Sequence, residues 1–200
     1  MIALDPRTTA VIVVDMQNDF CSRDGYYARA GSNVSDFGAV IEPVRRFVAS
    51  SRERGATIVF TRLLYGAHRA MEDRHTIRPK RWSSIGERLV PGTWGAEVVD
   101  GLRPQPADIV IDKEGYSAFE GTDLDKILRA RGIKTVLMTG VVTYACVLAT
   151  AFSAFDKDFD VLMISDAVAS WGGRMQQEAG DIVDLLLGAT VPASDIVFSR

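Results

Sequence analysis

Three short runs of apolar, largely β-branched residues constrain this fold most strongly: Thr9–Val14, Thr57–Thr61 and Thr135–Thr139. Each run is nearly continuous in hydrophobicity rather than alternating, which is the pattern of a strand covered on both faces, as in parallel sheets. Asp108–Ile111 and Asp160–Ile164 show a similar, less pure pattern. These segments therefore predict the buried strands of one sheet.

Helical patterns lie between the runs. They cover four segments: Phe37–Arg54, Thr122–Arg131, Thr143–Asp156 and Gln176–Leu187. The first stops at Gly55, and the second has Thr122 as its expected N-cap. Alternation of strands and helices predicts an α/β protein, with three α/β/α layers around a mostly parallel, Rossmann-like sheet. Residues 1–200 are expected to form a single domain.

Composition excludes several functional classes. A net charge of −3 and scattered basic residues offer no electrostatic basis for binding nucleic acid or an anionic membrane.

The first ten residues include Asp5 and lack a long apolar stretch, so no signal peptide is expected, and Ala10–Val14 is too short to span a bilayer. The two cysteines, Cys21 and Cys146, are far apart in the chain. We therefore expect no disulfide framework and a cytoplasmic location.

Three reactive side chains follow predicted strands. Asp15 comes directly after the first strand, Lys113 after the segment DIVID, and Cys146 shortly after TVLMT. Alone, each has an ordinary explanation as a turn former, a solvated lysine or a small buried side chain. Ligands of open α/β sheets bind beyond the carboxyl ends of the strands. The combination therefore predicts an active site at that edge.

The residue types suit nucleophilic chemistry. A free thiol has a pKa of about 8.5, and a helix N-terminus or a nearby cation lowers it. We expect Cys146 in the first turn of a helix that begins near Thr143, where exposed N–H groups and Lys113 would lower its pKa. Asp15 could take the thiol proton and later pass it to a departing amine.

Four segments carry a resemblance to a known family: AVIVVDMQNDFC at 10–21, IDKEGYSAFEGTDLDKIL at 111–128, TGVVTYACVLATA at 139–151 and ISDAVAS at 164–170. In this order they resemble the isochorismatase-like cysteine hydrolases. That family includes nicotinamidases, N-carbamoylsarcosine amidase, ureidoacrylate amidohydrolase and biuret hydrolase.

The resemblance implies that Asp15, Lys113 and Cys146 form a catalytic triad with Cys146 as the nucleophile. It also implies a non-proline cis peptide between Val141 and Val142, and an oxyanion hole formed by the backbone N–H groups of Val142 and Cys146. The implied enzyme is an amidohydrolase that cleaves a C–N bond in a small amide, ureide or N-carbamoyl compound through a covalent acyl-enzyme, releasing ammonia or an amine. It would be a homodimer or homotetramer and would need no cofactor.

Candidate substrate-binding residues follow the same strand ends or lie in a long loop: Gln17, Phe20, Tyr116, Phe119, Tyr144 and Trp82. Tyr144 stands where the family often has Asn, Asp or Glu, and Phe152 where many relatives carry Arg. These departures concern the substrate rather than the reaction, and Tyr144 could equally contact a neighbouring subunit. The loop with Trp82 and Trp94 could form a pocket wall, a subunit contact or a simple anchor.

Other interpretations remain open at this point. Nicotinamidases hold a metal with one Asp and two His, but the segment containing His68, Asp73 and His75 lacks the expected Asp-x-His arrangement, so no metal is predicted. An isochorismatase-type vinyl ether hydrolase would not need Cys146. A non-catalytic small-molecule-binding protein could use the same fold. Cys21 is expected to be structural.

Overall fold

The structure, a computed structural model, describes residues 1–65 and 88–199. Its strands are β1 (Ile2–Leu4), β2 (Thr9–Val14), β3 (Thr57–Leu63), β4 (Ile109–Lys113), β5 (Thr135–Val141), β6 (Asp160–Ala169), β7 (Gly188–Val191) and β8 (Ile196–Phe198). Strands β2 to β7 form a six-stranded sheet in the order β4-β3-β2-β5-β6-β7, with every neighbouring pair parallel. Strands β1 and β8 form a separate parallel pair near the chain ends.

Helices flank the sheet, so the predicted α/β/α architecture is confirmed. They are α1 (Asn18–Cys21), α2 (Tyr26–Arg29), α3 (Ser35–Glu53), α4 (Leu124–Ala130), α5 (Leu148–Phe155) and α6 (Gly173–Leu186). A π-helical turn, Thr143–Val147, leads directly into α5. Within the described ranges, the helices are all too short or too polar to cross a membrane.

Several strands of the structure begin or end at residues other than the predicted ones. The predicted strands at Thr57 and Thr135 each continue two residues further, to Leu63 and Val141, and β6 continues to Ala169. Strand β4 begins at Ile109 and lies at the sheet edge, where Val110 is 42% exposed. The expectation that this strand is covered on both faces was therefore wrong, because Val110 and Asp112 on one face are exposed whereas Ile111 and Lys113 on the other face are buried.

The helix starts also differ from the sequence prediction. Helix α3 begins at Ser35 rather than Phe37, and α6 begins at Gly173 rather than Gln176. Helix α4 begins at Leu124 with Asp123 as its N-cap. Thr122 lies one residue earlier: its hydroxyl accepts a hydrogen bond from the Leu124 N–H (3.2 Å) and donates to the Ala118 carbonyl (2.6 Å). The predicted Thr143–Asp156 helix is divided into the π-helical turn and α5. The later start of α4 is explained by the hydrogen bonds of the Thr122 hydroxyl with the Leu124 N–H and the Ala118 carbonyl, which replace a helical turn there.

The two central strands approach each other closely near their carboxyl ends. Every residue of β2 and β5 is buried. Gly140 in β5 has φ of 97°, and a Cβ there would lie 2.2 Å from the Val14 carbonyl oxygen. Only glycine combines this backbone conformation with so close an approach. The Val141–Val142 peptide that follows is cis, as the family resemblance implies.

Replacing Gly140 by alanine should destabilise the fold. We expect the free energy of unfolding to fall by more than about 2 kcal/mol, because the side chain adds both backbone strain and a clash with β2. Denaturant-induced unfolding of Gly140→Ala would measure this. Gly173→Ala is the matched control, because nothing lies within 4 Å of the Cβ it would add. Equal stability of the two variants would contradict this account of the strand contact.

Candidate active site

The site lies where the direction of strand order reverses, between β2 and β5. Connections leave such a point in opposite directions and open a crevice at the carboxyl edge of the sheet. Asp15 follows β2 directly, with φ of 47°, and the chain after β5 passes through the cis peptide into the π-helical turn that contains Cys146. Lys113 is the last residue of β4 and reaches towards this crevice across β3.

A buried ion pair joins the first two predicted catalytic residues. Lys113 Nζ donates to Asp15 Oδ2 at 2.7 Å, and both side chains are fully buried. The Thr61 hydroxyl donates to Asp15 Oδ1 at 2.6 Å and accepts from the Asp15 N–H at 3.1 Å. Both carboxylate oxygens are therefore held, which fixes the orientation of the carboxylate.

Lys113 remains charged in this environment. Burial lowers the pKa of Lys113, but the charge of Asp15, the neighbouring Cys146 and hydrogen bonds to both raise it more, so its pKa lies above the ordinary value. Its ammonium group also donates to the Gly115 carbonyl at 3.1 Å. Asp15 and Gly115 thus take two of the three donors of this lysine.

Cys146 is protonated at rest, contrary to the expected lowering of its pKa. Burial raises the pKa of the Cys146 thiol, the negative charge of Asp15 raises it further, and Lys113 opposes these effects only in part. The thiol therefore faces a fixed carboxylate that is able to accept its proton. This arrangement suits proton transfer at the moment of attack rather than a stored thiolate.

A cavity of about 430 Å³ opens over this thiol. Its described wall is apolar and aromatic: Phe20, Tyr27, Leu63, Tyr65, Tyr116, Val142, Tyr144, Ala145, Cys146, Leu148, Ala149, Phe152 and Trp171. The structure thus places three of the predicted substrate-binding residues, Phe20, Tyr116 and Tyr144, on the cavity wall. Trp82 lies outside the described residues.

Two other candidates lie away from the described wall. Gln17 is fully buried, and its amide donates to the Leu63 and Ala96 carbonyls (3.0 and 2.8 Å) and accepts from the Leu63 N–H (2.8 Å). Phe119 packs against Phe159, with 5.9 Å between ring centroids. Gln17 therefore joins the turn after β2 to neighbouring segments, and Phe119 belongs to the core.

Sequence reasoning missed Thr61 and much of the aromatic wall. Thr61 is the hydroxyl-bearing last residue of the predicted run Thr57–Thr61, but the sequence does not show that this strand lies beside the one that precedes Asp15. Tyr27 stacks on Phe20 with centroids 4.9 Å apart and contacts the Trp171 ring at 5.1 Å. Tyr65 follows β3 by two residues. Only the fold brings these distant aromatic residues together.

The second thiol occupies a different environment. Burial raises the pKa of Cys21, and Asp15 adds to the effect. Unlike Cys146, Cys21 is not among the described residues of the cavity wall. The residues considered for a metal, His68, Asp73 and His75, fall outside the described residues; within residues 1–65 and 88–199, no three His, Cys, Asp or Glu side chains are grouped to hold an ion.

Comparisons with known proteins agree over nearly the whole chain. A sequence model of the isochorismatase domain matches residues 9–193. The ureidoacrylate amidohydrolase RutB of Methylorubrum extorquens is 36% identical over 188 residues, covering 88% of this chain and 76% of that protein. The N-carbamoylsarcosine amidase of Thermoplasma acidophilum has a TM-score of 0.75 at 30% identity, covering 95% of this chain and 98% of that one. A cysteine hydrolase of Pseudomonas syringae has a TM-score of 0.79 at 26% identity, with 96% and 92% covered.

Removing the charge of Asp15 should make the thiol easier to ionise. In Asp15→Asn, we expect the Cys146 thiolate to form at lower pH than in the wild type, because the charge that opposes it is gone while Lys113 remains. Thiolate ultraviolet absorbance across a pH titration, after subtraction of the same variant carrying Cys146→Ser, measures this. Asp123→Asn removes an exposed carboxylate that pairs with Lys126 and serves as the control. A titration midpoint of the Cys146 thiol in Asp15→Asn that equals or exceeds the wild-type midpoint would contradict this electrostatic account.

Proposed function

The chain belongs to the isochorismatase family of hydrolases, and from this premise we propose that it is a cysteine-dependent amidohydrolase. Its substrate would be a small amide, ureide or N-carbamoyl compound. The observation that carries the proposal is the buried Lys113–Asp15 ion pair beside the thiol of Cys146, beneath a cavity large enough for a small molecule.

The reaction begins with the thiol protonated and Asp15 charged. As Cys146 Sγ attacks the substrate carbonyl carbon, its proton passes to Asp15, and the carbonyl π electrons move to oxygen. The proposed oxyanion hole consists of the backbone N–H groups of Val142 and Cys146, both residues of the cavity wall. In other enzymes, removal of one such hydrogen-bond donor lowers kcat by a factor of about 10²–10³.

Collapse of the tetrahedral intermediate breaks the C–N bond. Asp15 returns its proton to the departing nitrogen, so ammonia or an amine leaves and the acyl group stays on sulfur as a thioester, or as a thiocarbamate when the substrate is a ureide. Water then attacks this carbonyl, with Asp15 accepting one proton. The second collapse breaks the C–S bond, and the thiol regains the proton from Asp15.

Lys113 contributes electrostatic stabilisation rather than proton transfer. Its raised pKa keeps the ammonium charged while Asp15 alternates between its neutral and charged forms. A cation in a water-poor site stabilises both the Asp15 carboxylate and the developing oxyanion. Thr61 acts as a positioning residue, because its hydroxyl holds the oxygen of Asp15 that Lys113 does not contact.

The proposal includes a homodimer or homotetramer in a reducing compartment such as the cytoplasm. The exposed aromatic side chain of Phe155 on α5 supports burial of part of this helix by a second copy. Both cysteines are free, and a nucleophilic thiol must remain reduced to act.

Ammonia release from a panel of small amides tests the function. The panel includes nicotinamide, N-carbamoyl amino acids, ureidoacrylate, biuret and maleamate. We expect turnover of at least one compound and a loss of about 10³-fold or more in Cys146→Ala, because the nucleophile is gone. Cys21→Ala is the matched control and should retain activity.

Two outcomes would contradict the proposal. Ammonia release that survives in folded Cys146→Ala would favour an amide hydrolysis mechanism without a nucleophilic cysteine. Ligand binding without Cys146-dependent turnover of any compound would favour a binding protein.

A further inference from the structure

We propose that Gln176 is a positioning residue for the oxyanion site, because it holds the turn that carries the backbone N–H groups of Val142 and Cys146. This inference rests on the proposed function and deepens it, since it names a residue that keeps the proposed oxyanion hole in its geometry. Gln176 lies on α6, outside the catalytic triad and outside the described lining of the cavity above Cys146.

The side-chain amide of Gln176 joins three segments of the chain. Its oxygen accepts hydrogen bonds from the Thr143 hydroxyl at 2.6 Å and from the Ser170 hydroxyl at 2.7 Å. Its nitrogen donates to the Val168 carbonyl at 3.1 Å. Thr143 begins the π-helical turn after β5, whereas Val168 lies within β6 and Ser170 directly follows that strand. Gln176 therefore ties the π-helical turn to both β6 and α6.

The surroundings of this amide determine its orientation. The Val168 carbonyl can only accept a hydrogen bond, so the amide nitrogen must face it, and the amide oxygen then faces the two hydroxyls. Thr143 is fully buried and Ser170 is 4% exposed. A buried hydroxyl that loses its acceptor is costly, so these hydrogen bonds hold the side chains in place.

The same contacts fix the backbone next to the proposed oxyanion hole. The Val142 carbonyl accepts from the N–H groups of Ala145 at 2.9 Å and Val147 at 3.2 Å. This carbonyl and the Cα of Thr143 belong to one peptide unit, which is therefore held by the turn on one side and by Gln176 on the other. Both proposed oxyanion donors, the N–H groups of Val142 and Cys146, lie within four residues of this peptide.

This position predicts an effect on the transition state rather than on substrate binding. The oxyanion develops only as the thiol attacks, so donors that shift away from it weaken the transition state and leave the bound substrate unaffected. A displacement of about 1 Å in a catalytic arrangement can lower the rate by about 100-fold, even when its cause is remote. Gln176 should therefore act on kcat.

Gln176→Leu removes the acceptor and the donor with little change in size. We expect kcat for ammonia release to fall by about tenfold or more, with KM within about twofold of the wild-type value. Gln177→Leu is the matched control, because the Gln177 amide only donates to Asp181 on the exposed surface of the same helix, at 2.9 Å. Its kcat should equal that of the wild type. A wild-type kcat in Gln176→Leu, or a loss mainly in KM, would overturn the inference.

Thr143 tests the contact from its other end. Thr143→Val removes the hydroxyl and should lower kcat about as much as Gln176→Leu, whereas Thr143→Ser keeps the hydroxyl and should stay within about threefold of the wild type. Combining Thr143→Val with Gln176→Leu should cost no more than about twofold beyond either change alone, because both break the same contact. Equal kcat values in Thr143→Val and Thr143→Ser, or losses that multiply, would overturn the inference. The Thr143 pair decides it even if Gln176→Leu does not fold.

Two reactions of the Cys146 thiol separate this inference from the proposed function. 4-Nitrophenyl acetate acylates the sulfur through a tetrahedral oxyanion, and kcat/KM for nitrophenol release measures that step after subtraction of the release by Cys146→Ala. Methyl iodide reacts at a saturated carbon, where sulfur displaces iodide and no oxyanion forms. Both reactions need the same thiolate, so the ratio of their rates cancels any change in thiol ionisation.

In Gln176→Leu, we expect acylation to fall by about tenfold or more relative to methylation of Cys146, which peptide mass spectra follow over time, and we expect the wild-type ratio in Gln177→Leu. This result supports the inference even if the wild-type protein releases no ammonia from any amide, which would count against the proposed function alone. A ratio within about twofold of the wild-type ratio, or no acylation of Cys146 in the wild-type protein, would overturn the inference.

Discussion

The buried ion pair between Lys113 and Asp15 is the interaction on which the rest of the site depends. Two charges removed from water are costly unless their geometry and additional hydrogen bonds compensate. Here Thr61 and the Gly115 carbonyl supply those bonds, and the paired carboxylate is held beside Cys146. Removing either charge would leave the other buried without its partner. Burial and the charge of Asp15 keep the thiol protonated at rest, whereas Lys113 opposes them. In the proposed mechanism, the pair supplies both the acceptor for the thiol proton and a positive charge near the developing oxyanion.

The sheet makes this pair possible by bringing distant segments to one edge. Asp15 follows β2, Lys113 ends β4 two strands away, and Thr61 lies on β3 between them. On the other side of β2, Gly140 permits close contact with Val14 before the chain turns towards Cys146. The amino-acid order alone does not reveal that a threonine lies between the two charged residues. The strand order does reveal it. Lys113, at the end of β4, extends past the end of β3 to form its 2.7 Å hydrogen bond with Asp15, which follows β2.

Much of the fold and of the candidate site could be predicted from the sequence, because buried parallel strands have a strong local pattern of hydrophobic residues. The runs at Thr9–Val14 and Thr135–Thr139 led to the correct central strands, and the rule for strand ends led to Asp15, Lys113 and Cys146. The direction of the Cys146 pKa shift was not predictable, because it depends on burial and on the distance to Asp15. Gln17 was placed in the pocket by its position in the chain, whereas its amide is used by backbone groups of two other segments. Tyr27 and Trp171 belong to the wall through tertiary packing alone.

Acylation of Asp15→Asn by 4-nitrophenyl acetate tests the central claim most directly. At a pH above the titration midpoint of Cys146 in this variant, the thiolate needs no base and nitrophenolate leaves without needing a proton, so Cys146 can still be acylated. The water that would remove the acetyl group, by contrast, has lost its base. We expect a stoichiometric burst of nitrophenol, a persistent acetyl group on Cys146 in peptide mass spectra, and neither in Asp15→Asn that also carries Cys146→Ala. Acetylation of Cys21 instead, or no acylation of the folded protein at a pH where the Cys146 thiolate has formed, would contradict the assignment of Cys146 as a nucleophile served by Asp15.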